Sequence, residues 1–128
     1  MNNISRCSAL TAVSLSIIGA SVFAADMLKV APHNTKVLFE NDRVRVLETR
    51  IKPGDALPKH SHPPRVNYFL NPLKERITYE GKPPQEFTRK AGDVAYSEAV
   101  TLEVVNTGTT EGHNIVVELK DSPPSRAK

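Results

Sequence analysis

Two histidines separated by a single residue, His60 and His62, have the spacing in this chain that most clearly suggests chemistry. On a β-strand, residues two apart project from the same side, with their backbones about 6.6–7 Å apart. Both imidazoles can therefore converge on one point, an arrangement that recurs in metal-binding sites. The spacing alone is a weak signal, and it gains weight because Pro53-Gly54 lies just upstream.

Short β-strands are the elements that must position these histidines. Turn residues such as Asn41-Asp42 and Pro53-Gly54 separate β-branched and aromatic runs at 36–40, 43–52, 65–71, 76–80, 86–90, 94–97, 101–106 and 113–120. Alternating strands with turns at this frequency are typical of a sandwich or a barrel. No helix of useful length is predicted after residue 24.

Alternation within the last two strands predicts which side chains face the interior. In the strand before the last, Leu102 and Val104 share a face, which we interpret as interior. In the last strand, we expect the interior face to be the one that carries His113, Ile115, Val117 and Leu119.

The first 24 residues have the features of a secretory signal peptide. One basic residue, Arg6, precedes an apolar run over residues 9–23, and small residues follow at Ala24 and Ala25. That order is typical of a signal peptide, and the run is shorter than the ~20 residues that span a bilayer. We expect cleavage between Ala24 and Ala25. Cleavage after Ala20 and an N-terminal membrane anchor are the alternatives.

The predicted protein is therefore periplasmic or secreted, with no stable membrane insertion after cleavage. Residues 25–35 form a lead-in, residues 36–120 a single barrel domain, and residues 121–128 a flexible tail. The one cysteine, Cys7, lies in the signal peptide, so the mature chain has no disulfide and no cysteine ligand. The net charge of +3 is spread along 128 residues without a basic block, which argues against nucleic-acid binding.

Three segments resemble the motifs of the cupin family. The pattern Gly54-x5-His60-x-His62 is similar to the opening of the first cupin motif. Residues 91–94 resemble the start of the second motif and residues 104–108 its end. The resemblance covers residues 37–120. It implies an all-β fold, a small double-sheet jelly-roll β-barrel, and a homodimer.

The chain departs from the family pattern at two of its four metal ligands. The family has a glutamate shortly after the second histidine, but residues 56–74 include no acidic residue, and Arg65 or Asn67 takes its place. The last family histidine would fall at Leu102. His60 and His62 therefore predict a reduced site for at most one divalent metal ion of open identity, with His113 as a candidate third ligand.

A ligand pocket is predicted around these histidines, with a small-molecule ligand as the partner. Its candidate residues are Asn67, Tyr68, Tyr96, Leu102 and His113. The tyrosines are equally explained as core residues with a solvated hydroxyl. Arg45 and Arg65 can bind a carboxylate in fork geometry, or they lie on a solvated face. Glu98 is a candidate base, whereas His33 is expected in solvent.

Three functions remain open from the sequence. The first is a small-molecule-binding cupin-like protein with a reduced His-x-His site inside the barrel. The second is a divalent-metal-dependent enzyme of dioxygenase or isomerase type, in which His60 and His62 hold the ion. The third is a structural or interaction protein that uses the barrel for pairing. Ser61 is expected to face outward between the histidines, so a Ser-His hydrolase is rejected.

Overall fold

The structure is a computed structural model that describes residues 25–121. The predicted signal peptide and residues 122–128 of the predicted tail lie outside the described residues. Within the described range, one short helix, α1 (Met27–Val30), precedes nine strands. The strands are β1 (Thr35–Glu40), β2 (Val44–Ile51), β3 (Ala56–His62), β4 (Arg65–Phe69), β5 (Leu73–Tyr79), β6 (Gln85–Arg89), β7 (Val94–Ser97), β8 (Val100–Asn106) and β9 (Gly112–Leu119).

The strands form two antiparallel sheets, which confirms the prediction of an all-β double-sheet jelly roll. The five-stranded sheet has the order β1-β2-β9-β4-β7, and the four-stranded sheet has the order β3-β8-β5-β6. The histidine strand β3 is an edge strand of the smaller sheet and pairs with β8, where His60 lies opposite Leu102. Among residues 25–121, no helix has the length and apolarity needed to cross a membrane.

The helix α1 and a buried apolar cluster hold β3 in place. Met27 is buried on α1, and the Ser61 backbone N–H donates to the Ala25 carbonyl at 3.1 Å. The cluster contains Met27, Ala31, Ile51, Leu57, Ile77, Leu102 and Val104. The chain therefore packs against the histidine strand from residue 25 onward.

The turns that resemble cupin motifs have a structural role. Gly54 has a φ of 84°, a left-handed conformation that favours glycine, and its N–H donates to the Asn106 carbonyl at 2.9 Å. The buried Asn106 side chain donates to the Ile51 and Thr110 carbonyls, both at 2.8 Å. Its Oδ1 accepts from the Gly108 N–H at 2.9 Å. These bonds tie the start of β3 to the end of β8.

The expectation for the interior face of β9 is wrong. Asn114, Val116 and Glu118 are buried on the inner face, whereas His113, Ile115 and Val117 lie on the outer face and are only half-buried. The reason is that β9 lies in the middle of the five-stranded sheet, whose outer face is also apolar. The inner face instead lines a polar cavity, so hydrophobic alternation identifies the wrong side.

Candidate functional site

The two histidines of β3 lie together inside the barrel. His60 is 1% exposed and His62 is 3% exposed. Their ring centroids are 4.8 Å apart, with an angle of 81° between the ring planes. Strand alternation places both side chains on the inner face of β3, as the His-x-His spacing requires.

Hydrogen bonds fix the orientation of both rings. His60 Nδ1 lies 2.6 Å from the Pro58 carbonyl oxygen, and His62 Nδ1 lies 2.5 Å from Glu118 Oε1. A carbonyl oxygen and a carboxylate only accept hydrogen bonds, so we assign the proton of each neutral ring to Nδ1. Each Nε2 then carries a lone pair. The buried Nε2 of His62 has no hydrogen-bond partner among the described residues.

Burial keeps both imidazoles neutral at physiological pH. Desolvation lowers the pKa of His60, and it lowers the pKa of His62 to about 4. The bond from His62 to Glu118 acts in the opposite direction, but the loss of water around the ring outweighs it. The two rings are therefore available as hydrogen-bond acceptors or as metal ligands.

Glu118 lies between two arginines in one row across the five-stranded sheet. It is the cross-strand partner of Arg45 on β2 and of Arg65 on β4. Its Oε2 accepts from Arg45 Nε at 2.6 Å, and its Oε1 accepts from His62. Despite the desolvation that opposes it, bonding to His62 and Arg45 lowers the pKa of Glu118. Both carboxylate oxygens are thus already occupied.

Arg45 extends this network to the start of the described chain. Its Nη2 donates to Asp26 Oδ2 at 2.6 Å. Two carboxylates therefore surround Arg45 and raise its pKa despite partial burial. The chain of charged contacts runs from Asp26 through Arg45 and Glu118 to His62, which fixes the ring in place.

A cavity of about 80 Å³ lies between the two sheets beside the histidines. This is well above the roughly 10–15 Å³ that a single water molecule requires, so the cavity has room for several waters. Its polar walls are formed by Thr49, His60, His62, Arg65, Asn67, Glu75, Tyr79, Arg89, Ser97 and Asn114. Apolar walls come from residues such as Met27, Ile51, Phe69 and Val116.

A second ion pair lies in the cavity wall. Arg89 Nε donates to Glu75 Oε1 at 3.0 Å, and the Arg89 guanidinium lies over the Phe69 and Phe87 rings. Desolvation raises the pKa of the buried Glu75, although Arg89 partly opposes this shift. Glu75 therefore keeps its proton to a higher pH than an ordinary glutamate does.

The predicted pocket residues fall in different places. Asn67 lines the cavity, and Leu102 is buried beside His60 on the neighbouring strand. Tyr68 is 43% exposed on the outer face of β4. Its placement in the pocket is wrong, because alternation on β4 turns Arg65 and Asn67 inward instead.

His113 and Tyr96 also point away from the interior. His113 is on the outer face of β9, where its Nε2 lies 2.7 Å from Glu48 Oε1, so the predictions that it lines the pocket and acts as a third ligand are wrong.

Tyr96 borders the cavity, but it is 58% exposed and its hydroxyl donates to Glu98 Oε1 at 2.9 Å. That bond occupies Glu98 outside the cavity. His33 is exposed, as expected.

Sequence reasoning missed seven polar residues that the fold places in the site. They are Thr49, Glu75, Tyr79, Arg89, Ser97, Asn114 and Glu118. Asn114 and Glu118 each lie two residues from Val116, so strand alternation could have placed all three on one face. Their contacts with His62 and the cavity depend on the pairing of β9 with β2 and β4, which no single strand reveals.

The residues present meet only part of the requirements of a metal site. Both histidines present Nε2 while Nδ1 is held by an oxygen acceptor, the outer-shell pattern of metal-binding histidines. No group of three or more His, Cys, Asp or Glu residues within 25–121 is arranged to hold an ion. Arg65 also adds a positive charge that lowers the pKa of both rings. Two protein ligands fall short of the usual three, so no catalytic step is assigned to a metal.

Solved structures with the same architecture decide the fold. A cupin domain from Bordetella pertussis Tohama I has a TM-score of 0.63 and 24% identity, covering 68% of this chain and 92% of that one. The chain has a cupin fold. An RmlC-like cupin from Methanocaldococcus jannaschii has a TM-score of 0.56 and 17% identity, covering 67% and 78%.

A further solved structure with this fold is named as a predicted oxalate decarboxylase, from Thermotoga maritima. Its TM-score is 0.53 and its identity 21%, covering 68% of this chain and 79% of that one. No family model matches the sequence, and no curated protein matches it. Within the cupin fold, Leu102 lies beside His60 where the resemblance implies a third histidine, and Arg65 turns into the cavity close after His62.

Proposed function

We propose that this cupin binds a small molecule in the cavity between its sheets and does not catalyse a reaction. The polar cavity beside the buried His60 and His62 is the observation that carries this proposal. Small-ligand sites are concave and use placed polar groups to fix the orientation of the ligand. Here neutral imidazoles offer lone pairs, Arg65 offers donors, and apolar residues such as Phe69 exclude water.

A cavity-filling variant tests this proposal. Ala95 lines the cavity from β7, so Ala95→Leu should fill it, whereas Val94→Leu adds a methylene on the exposed side of the same strand. A fragment library is screened by thermal unfolding, since a ligand that binds only the folded state raises Tm. We expect fragments that stabilise the wild type and Val94→Leu but not Ala95→Leu. Equal stabilisation of all three proteins would contradict a cavity site.

Divalent-metal binding, with an enzymatic role of dioxygenase or isomerase type, is the second candidate. The observation that favours it is the paired Nδ1 bonding of His60 and His62, which leaves both Nε2 lone pairs free. The neighbour named as a predicted oxalate decarboxylase supports an enzymatic role, although its name gives a different type of reaction. Elemental analysis of purified protein tests it. A stoichiometric ion that is lost in the His60→Ala/His62→Ala double variant supports this candidate, and a metal-free wild type overturns it.

Export to the periplasm or outside the cell is also part of the proposal. The order of a basic start, an apolar run and small residues at Ala24 and Ala25 supports it. Mass spectrometry of protein expressed from the full chain is expected to give an N-terminus at Ala25. Retention of Met1 in a membrane fraction would instead support an N-terminal anchor.

A second copy of this chain is proposed as the protein partner. Cross-strand pairing places an apolar row on the outer face of the five-stranded sheet, formed by Phe39, Val46, Val117, Val66 and Tyr96. Tyr68 lies in the adjacent row. Exposed apolar patches mark interaction sites, and two-fold homodimers are the commonest assembly.

Light scattering tests the dimer. The wild type is expected at twice the mass of one chain, and Tyr68→Lys at the mass of one. Thr88→Lys, an exposed change on β6 of the other sheet, serves as the control and should leave the dimer intact. A monomeric wild type would overturn this part of the proposal.

A further inference from the structure

We propose that the ligand of this cavity is a small carboxylate anion and that Arg65 binds it, an inference that rests on the proposed function. Arg65 projects into the cavity from β4 and is only 8% exposed. Its Nε donates to Ser97 Oγ at 3.2 Å, a neutral partner. No carboxylate within residues 25–121 forms an ion pair with it at 4.0 Å or less.

The nearby carboxylates form hydrogen bonds with other side chains. Glu118, the cross-strand partner of Arg65, gives one oxygen to Arg45 and the other to His62. Glu75 accepts from Arg89. Both carboxylates act on Arg65 only at longer range, and desolvation, the largest cause, lowers its pKa to about 10. Arg65 therefore keeps its charge at neutral pH without a direct counterion.

A buried unpaired charge is costly, and folded proteins normally pair it. The guanidinium of Arg65 presents a planar set of donors that matches a carboxylate in two parallel hydrogen bonds. Arg89 contacts Glu75, and Arg45 contacts both Asp26 and Glu118, so within residues 25–121 Arg65 is the cavity-lining charge without a contacting partner of opposite charge. A cavity of about 80 Å³ has space for an anion of a few non-hydrogen atoms.

The competing occupant is a neutral molecule of the same shape. Acetate and acetamide have nearly the same size and differ in charge, so the pair isolates what Arg65 contributes. His60 and His62 are neutral, so neither ring adds an electrostatic attraction that favours acetate over acetamide. Selectivity for acetate over acetamide therefore reports on the arginine.

The experiment is titration calorimetry of the purified protein with sodium acetate, sodium oxalate, sodium chloride and acetamide. Wild type should bind acetate or oxalate and bind acetamide at least about tenfold more weakly, the size expected for charge-assisted hydrogen bonds. Arg65→Gln should lose that preference. Arg43→Gln makes the same change at an exposed position and should bind as wild type does.

A further variant keeps the test valid if Arg65→Gln does not fold. Arg65→Lys retains the positive charge but not the planar fork, so it should weaken carboxylate binding without abolishing it. Carboxylate binding that survives unchanged in a folded Arg65→Gln or in Arg65→Lys overturns the role of Arg65. Binding of acetamide without binding of carboxylates overturns the anion but leaves the proposed cavity function standing. If neither these probes nor any cavity-dependent fragment binds, both inferences fail.

Discussion

Arg45 and Arg65 flank the same glutamate from neighbouring strands, yet their surroundings differ. Arg45 contacts two carboxylates, Glu118 and Asp26, both at 2.6 Å, and its pKa is raised. Arg65 lies on the other side of Glu118, contacts only the Ser97 hydroxyl, and has a lowered pKa. Arg45 belongs to an ion-pair network with two contacting carboxylates, whereas Arg65 has no contacting carboxylate among residues 25–121.

The difference follows from the geometry of Glu118. A carboxylate has two oxygens, and here one faces β2 while the other faces His62 on the opposite sheet. Glu118 therefore connects the two sheets and acts on Arg65 only at longer range. Because the same carboxylate bonds to His62 and not to Arg65, the proposed anion binding and the stability of the site have the same origin.

Removal of the Glu118 carboxylate, which bonds to both Arg45 and His62, should cause the largest loss in the free energy of unfolding. In Glu118→Gln, Arg45 and His62 lose a charged partner inside the barrel, which is expected to lower the free energy of unfolding by about 3–5 kcal/mol. Urea denaturation measures the change. Glu80→Gln, which breaks the exposed pair with Lys59, is the control and should cost less than about 1 kcal/mol. Similar losses in both variants would contradict the central position of Glu118.

Acidification should weaken the fold through His62. The folded-state pKa of about 4 lies below the usual histidine value of 6.5, so the neutral ring stabilises the fold above pH 6.5. That contribution is lost as pH falls, and the loss reaches about 3 kcal/mol at pH 4. The wild type should lose this amount between pH 7 and 4 relative to His62→Asn, measured by urea denaturation of chelator-treated protein. Parallel pH curves for the two proteins would mean that His62 titrates normally.

The Ser97 hydroxyl should matter least. Ser97→Ala removes the hydrogen bond that Arg65 Nε makes, and a bond to a neutral group is expected to cost about 0.5–1 kcal/mol in unfolding free energy. Denaturation with urea detects a change of this size. A loss comparable to that of Glu118→Gln would show that Ser97, and not a missing anion, satisfies Arg65.

The sequence predicts the fold and part of the site. Turn residues and alternating runs are local signals, so an all-β sandwich or barrel could be inferred from them directly, whereas the double-sheet jelly roll came from the resemblance to cupins. The shared direction of His60 and His62 needs only the period of a strand. The interior face of β9 could not be inferred by apolarity, because Ile115 and Val117 cover the outer face while Asn114 and Glu118 line the cavity.

The roles of Glu118 and Arg65 depend on information that no strand carries by itself. Residues 45, 118 and 65 are distant in sequence and become neighbours through the order β2-β9-β4. Sequence reasoning left Arg45 and Arg65 with the same two interpretations, carboxylate binding or a solvated face. The register places both opposite Glu118, and the side-chain contacts of that glutamate separate them, since its oxygens bond to Arg45 and to His62.

The most direct test compares the unfolding free energies of Arg45→Met and Arg65→Met, since methionine keeps much of the aliphatic packing and removes the charge. Without added anion, Arg45→Met should lose about 2–3 kcal/mol, because Glu118 loses its arginine partner. Arg65→Met should stay within about 1 kcal/mol of the wild type or exceed it, because no ion pair is broken. A loss in Arg65→Met as large as that in Arg45→Met would contradict the claim that Arg65 serves a ligand and not the fold.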